Sequence, residues 1–179
     1  MLTAENSVVV LIDVQGKLAQ LMSDKETLFA NLARVIQGAK ILGVPVLWAE
    51  QIPEKLGPTI PELADLLADQ APLRKVSFSC AKNQEFMAAL EATGRKFVVA
   101  IGIEAHVCVC QTVVDLLEDG FAVDVVSDAV GSRIASNKAV GLNRMRDHGA
   151  RISSTEMLLF EWMETAEHPA FREIQALLK

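Results

Sequence analysis

Residues 96–120, KFVVAIGIEAHVCVCQTVVDLLEDG, decide the fold. The segment 97–101 is an unbroken apolar run rich in β-branched residues, the mark of a strand covered on both faces. Gly102 interrupts it, and a helical pattern follows in which Val113, Leu116 and Leu117 share one side. A buried strand, a glycine-containing turn and a helix opening almost on a cysteine make one βα unit. The first turn of a helix carries unpaired N–H groups and about half a positive charge, so it favours a thiolate. If the chain is an enzyme, Cys108 is the residue on which to build its chemistry. Cys110 falls in line with Val113, Val114 and Leu117 and reads as core, whereas Cys108 falls in line with Thr112 and Asp115, off that stripe.

The same alternation runs through the rest of the chain. Residues 7–12 (SVVVLI) read as a second doubly buried strand, ending at Asp13. A carboxylate there either caps the next turn or sits where open α/β sheets place their ligands. One long helix is expected from Gln15 and Gly16 to about Leu42, ended by Gly43. A strand at 44–49 (VPVLWA) follows, with Trp48 read as core, and then a loop containing Glu50, Gln51, Pro53 and Gly57. A helix is expected over 61–69 and a short strand over 73–76. Lys75 lies inside that strand, and a lysine facing solvent from an edge strand would look the same as one aimed at a site. A helix over 83–93, a strand over 121–126, a helix over 135–148, a strand over 150–153 and a helix over 155–163 complete the alternation. Pro169 is read as the start of the last helix, and Asp124 and Asp128 as loop or edge carboxylates. Six strands interleaved with helices predict a three-layer α/β/α sandwich around a six-stranded, mostly parallel sheet, in one domain over 1–179.

Composition excludes several functions. Apolar residues make up 51% of the 179, so a substantial core is expected and disorder is not. The net charge of −6, with no Lys/Arg block, argues against a nucleic-acid partner. No apolar stretch approaches the ~20 residues of a membrane span. Three cysteines without framework spacing, and no signal-peptide pattern in MLTAENSVVVLID, point to a reducing cytoplasm. The chain carries no GxGxxG, GxxxxGK[ST] or GxSxG, which counts against dinucleotide binding, phosphoryl transfer and serine hydrolysis. His106, two residues before Cys108, is the one histidine placed to act as its base, although neighbours that close at a helix start usually point apart. Cys80 reads as a small buried residue.

Asp13, Lys75 and Cys108 remain, each at the end of a different predicted strand on one edge of the sheet. With LIDVQ at 11–15, KVSFS at 75–79 and GIEAHVCV at 102–109, the chain resembles the isochorismatase-like cysteine hydrolase superfamily, which includes nicotinamidases and N-carbamoylsarcosine amidohydrolases. The resemblance covers the whole chain. It extends to Glu50, Gln51, Pro53, Leu56 and Gly57 in an EQ-P--LG loop, to VSDAVGSR at 126–133 and to HPAFREIQALLK at the C-terminus, features of its isochorismatase-domain-containing branch.

The resemblance implies a Rossmann-like sheet and a hydrolase of small amides or related C–N bonds. Cys108 would attack the carbonyl to give a thioester, Asp13 would be the base, and Lys75 would hold the thiolate. It implies a cis peptide between Ile103 and Glu104, and an oxyanion hole made by the backbone N–H groups of Glu104 and Cys108. Gln15, Glu50, Gln51 and Phe78 are candidate substrate contacts, with core packing the alternative for Phe78. A small-molecule substrate and a homo-oligomer are expected, and the C-terminal residues Leu158, Leu159, Trp162, Met163 and Phe171 read as either core or subunit interface. Two departures stand out. Ala105 replaces the family's usual Thr, and the loop after Trp48 lacks the histidines of the nicotinamidase metal site, so no metal is predicted. Isochorismatases proper cleave a vinyl ether without the cysteine, so the presence of Cys108 argues against that reaction. An interaction or assembly protein with a residual triad is the alternative from another class.

Overall fold

The computed structural model describes residues 2–179. In chain order the elements are β1 (Ser7–Ile12), α1 (Gly16–Ala19), α2 (Lys25–Ile41), β2 (Val46–Gln51), α3 (Pro53–Leu56), α4 (Pro61–Ala64), β3 (Leu73–Lys75), α5 (Gln84–Ala92), β4 (Phe97–Ile103), α6 (Cys108–Glu118), β5 (Ala122–Gly131), α7 (Ala135–Asp147), β6 (Arg151–Ser153), α8 (Thr155–Met163) and α9 (Phe171–Leu177). Two 3-10 turns, Asp65–Leu67 and Cys80–Lys82, complete the set. The six strands form one sheet of order β3-β2-β1-β4-β5-β6, every neighbouring pair parallel. The chain winds from β1 to one edge, then returns beside β1 and winds to the other. Strand order therefore reverses between β1 and β4, the place where open α/β sheets leave a crevice at their C-terminal ends. Asp13 follows β1 there, and Cys108 follows β4.

The two-residue period of the strands divides the core. Val9 and Leu11 of β1, with Val99 and Ile101 of β4, pack under α2, α8 and α9 against Leu32, Val35, Trp162 and Ile174. Val8, Val10 and Ile12, with Val98 and Ala100, pack under α5, α6 and α7 against Phe86, Leu90, Val113 and Met145. Each fully buried Val or Leu contributes roughly 1.5–3 kcal/mol relative to exposure, so a strand apolar on both faces is stable only between two helical layers. Gly102 lets the two central strands close up. Its φ is +124°, and a Cβ there would lie 2.2 Å from the carbonyl oxygen of Ile12.

Several elements differ from the sequence expectation. The expected single helix to Leu42 is two, because Asp24 takes a left-handed conformation (φ 52°) ahead of α2. β2 begins at Val46, after Pro45, which has no N–H to give a ladder, and it runs on through Glu50 and Gln51 because these pair with Arg74 and Lys75. The helix expected over 61–69 is one α-turn followed by a 3-10 turn. β5 continues to Gly131, its last residues pairing with Gly102 and Ile103. The final helix starts at Phe171 rather than Pro169. Leu158, Leu159, Trp162 and Met163 are core. Among the described residues no helix is long and apolar enough to cross a membrane.

Candidate active site

β1 delivers Asp13. Its N–H still donates to Ala49 O on β2 (3.2 Å), after which a left-handed φ of 53° turns the chain sharply. Asp is among the few side chains that tolerate that region. β3 delivers Lys75, which sits opposite Gln51 in the ladder. β3 and β1 are two strand spacings apart, about 10 Å, so only a long side chain can join them. Lys75 is 2% exposed, and its Nζ donates to Asp13 Oδ2 (2.6 Å), Gln51 Oε1 (2.7 Å), Phe78 O (2.9 Å) and Ser77 O (3.1 Å). Of the two readings left open for Lys75, the solvent-facing one is excluded. An ammonium this buried is tolerable only because a carboxylate and three neutral acceptors surround it.

β4 and the opening of α6 deliver Cys108, the first residue of that helix and 9% exposed. The preceding peptide bond between Ile103 and Glu104 is cis. The Cys108 thiol interacts with the Asp13 carboxylate. Oδ1 of that carboxylate is buried and, among the described residues, has no donor aligned on it. Burial, and then the negative charge of Asp13, push the Cys108 thiol up, while Lys75 pulls the other way. Burial likewise raises Asp13, against the pull of Lys75. The helix terminus was expected to favour a thiolate. Its contribution of about 0.3–2 kcal/mol is overcome by desolvation and a carboxylate in contact. Burial thus disfavours the charged form of both groups, and the site favours a Cys108 thiol beside the Asp13–Lys75 pair.

Asp13 and Cys108 face a cavity of about 210 Å³, which Glu104 and Arg133 also line. Glu104 accepts from Arg133 Nε (2.6 Å), Nη2 (3.4 Å) and N (3.3 Å). Burial alone would raise its carboxyl, but the Arg133 hydrogen bonds hold it below the usual range. His106 faces away from Cys108: Nδ1 lies 3.0 Å from Ser132 Oγ, and Nε2 lies 3.7 Å from Glu104 Oε2. It is not placed as a base for the thiol. Cys110 and Cys80 are buried in the core.

The structure separates the four candidate substrate contacts. Gln15 is fully buried, donating to Gln51 O (3.2 Å) and Gly57 O (2.7 Å) and accepting from Gln51 N (2.6 Å). Its amide joins β2 to the loop at Gly57 and is not turned to the cavity. Glu50 accepts from Thr59 N (2.6 Å) and Oγ1 (2.8 Å), which anchors the same loop. Gln51 fixes Lys75 with one end of its amide and Val76 O with the other. Only Phe78 lines the cavity, its residue 54% exposed, and it also borders a neighbouring cleft of about 460 Å³ that contains His106, Cys110 and Arg144. The side chains of Arg133 and Glu104 were missed from the sequence. The signal was present in VSDAVGSR, whose terminal arginine follows a run that reads as strand and turn.

The Isochorismatase domain family model matches residues 7–157. Isochorismatase domain-containing protein 2 of Danio rerio is 37% identical over 99% of this chain and 89% of its own length. The solved MAR1 ribonuclease of Caenorhabditis elegans superposes with a TM-score of 0.92 at 34% identity, covering 99% of this chain and 91% of that one. YcaC from Pseudomonas aeruginosa, solved with hexane-2,5-diol and covalent acrylamide, gives a TM-score of 0.85 at 26% identity over 99% of this chain and 97% of its own.

Proposed function

We propose, starting from the fact that the chain belongs to the isochorismatase domain family, that it is a cysteine hydrolase of small amides or related C–N bonds. One observation carries the reading. A buried carboxylate is clamped on one oxygen by Lys75, while its other oxygen has no aligned donor and the Cys108 thiol interacts with the group from the start of α6.

The chemistry follows from those positions. As Sγ of Cys108 bonds to the carbonyl carbon, its proton passes to Asp13. The negative charge moves to the carbonyl oxygen, where the N–H groups of Glu104 and Cys108 are the proposed donors. Cys108 N–H opens a helix and has no acceptor within it. Asp13 then gives its proton to the leaving nitrogen, the C–N bond breaks, and ammonia or an amine departs from a thioester. Water, deprotonated by Asp13, attacks the thioester. The C–S bond breaks and the proton returns to sulfur, leaving a carboxylic acid. Lys75 stays charged throughout and holds the Asp13 carboxylate in position. The covalent acrylamide in the Pseudomonas relative supports the reading, since acrylamide is an electrophile that takes up thiols.

The net charge of −6 argues against a nucleic-acid substrate. A homo-oligomer is part of the proposal, because Val76, Phe78, Ile134 and Val140 are large apolar side chains left exposed.

The test is ammonia release from a panel of small primary amides and ureides, with acid quenching and mass spectrometry of the Cys108 peptide. The expected result is turnover of at least one member with an acyl adduct on Cys108, both lost in Cys108→Ala. Absence of ammonia and adduct across the panel would sink the amide reading. Cleavage of isochorismate unaffected by Cys108→Ala would favour vinyl-ether hydrolysis instead.

A further inference from the structure

The cavity at Cys108 is lined by two carboxylates, each held in an ion pair. The Asp13 carboxylate is matched by Lys75 from behind the wall, and the Glu104 carboxylate by Arg133, which lines the cavity itself. The rest of the wall is Leu18, Phe78, Ile103 and Val107. Glu104 is 6% exposed, whereas the Arg133 side chain is 55% exposed. A guanidinium beside a reactive thiol would by itself draw in a substrate carboxylate, because Arg binds carboxylates through paired N–H donors. Here Nε and Nη2, one edge of the guanidinium, already point at Glu104. The charge that a substrate would meet is cancelled before it arrives.

We propose that the Glu104–Arg133 pair makes this a pocket for a small uncharged amide and excludes amides that carry a carboxylate, with Glu104 as the specificity-determining side chain. The inference rests on the proposed function only in taking Cys108 as the group that meets the substrate. An anion entering the pocket finds the Nε/Nη2 edge of Arg133 taken up by Glu104 and each cation already matched by a carboxylate. A neutral molecule meets apolar walls and loses no hydration of a charge. The Glu104 side chain thus acts on which molecules enter, a role separate from that proposed for its backbone N–H.

The experiment compares two alkylating reagents of similar size, neutral iodoacetamide and anionic iodoacetate, at Cys108 of the full chain. Rates are read by mass spectrometry of the Cys108 peptide, relative to glutathione as a free thiol. All rates are compared at one pH of about 8. The wild type is expected to prefer iodoacetamide by ~10-fold or more over the free-thiol ratio. In Glu104→Gln that preference falls ~10-fold, since Arg133 is unmasked. In Arg133→Gln it rises, since Glu104 is unmasked, and the double variant returns close to the wild-type ratio. That return separates charge balance from damage to the fold. A Glu104→Gln ratio within about two-fold of wild type, or a double variant that fails to return, overturns the proposal. So does a folded wild type in which Cys108 takes iodoacetate as readily as iodoacetamide relative to glutathione. The ratios need no turnover, so a chain that shows them yet hydrolyses no amide loses the proposed reaction and keeps this pocket.

Discussion

The ammonium of Lys75 and the carboxylate of Asp13 meet at 2.6 Å across an intervening strand, both side chains 2% exposed or less. The two exert opposite pulls on Cys108: Asp13 raises its thiol and Lys75 lowers it. Asp13→Asn therefore shifts the pH profile of Cys108 alkylation to lower pH, and Lys75→Met shifts it to higher pH. Turnover is expected to fall ~10²–10⁴-fold in both, because the first removes the proposed base and the second its counter-ion. Asp13→Asn is thus expected to make the thiol more reactive and the enzyme less active. Two profiles moving in the same direction would contradict this electrostatic arrangement. Lys75→Met also leaves an uncompensated buried carboxylate, costing about 3–5 kcal/mol in urea unfolding.

Alkaline pH tests a second buried thiol. Burial pushes Cys80 up from 9.0 to about 12, and Cys108 is raised as well. Between these values the unfolded chain has lost the Cys80 proton while the folded chain keeps it, so stability drops as pH rises. Each such group adds a slope of about −1.4 kcal/mol per pH unit. Cys80→Ala removes one of these groups. Its unfolding free energy from pH 9 upward should decline less steeply than the wild type by about that amount, whatever its stability at neutral pH. Equal slopes would show that Cys80 ionises normally in the fold.

Gly102 tests the contact between the two central strands. A methyl group there would lie 2.2 Å from Ile12 O and 2.7 Å from Ile12 N, on a residue whose φ of +124° already suits glycine alone. Gly102→Ala should cost about 3 kcal/mol or more, a Tm loss of roughly 6–12 °C for a chain of this size. Because Ile12 precedes Asp13, the alkylation profile of Cys108 should move too. A Tm within about 1 °C of wild type would mean that the strands separate at little cost.

The alternation of strands and helices was legible because a doubly buried strand needs an apolar run that nothing else in the chain imitates. Cys108 was legible because its phase on α6 differs from that of Cys110. Lys75 was not, because the local sequence of β3 is the same for an exposed lysine, and only the arrival of Asp13 from a strand 62 residues away decides it. The length of β5 was hidden by its polar residues. Asp124 is buried against Arg151, and Asp128 Oδ1 accepts from Thr155 N (2.8 Å) and Oγ1 (2.9 Å), so both carboxylates belong to the packed structure rather than to a loop. Gln15 read as a substrate contact because a polar residue after a strand end is ambiguous. Its acceptors lie on segments more than thirty residues distant.

The carbonyl of Phe78 is one of the four oxygens held by Lys75, and the same residue lines both the cysteine pocket and the larger cleft beside it. A single residue thus contributes to the wall of the pocket and, through its backbone, to the solvation of the buried ammonium that pairs with Asp13. Any substitution at position 78 that moved the main chain would alter both at once.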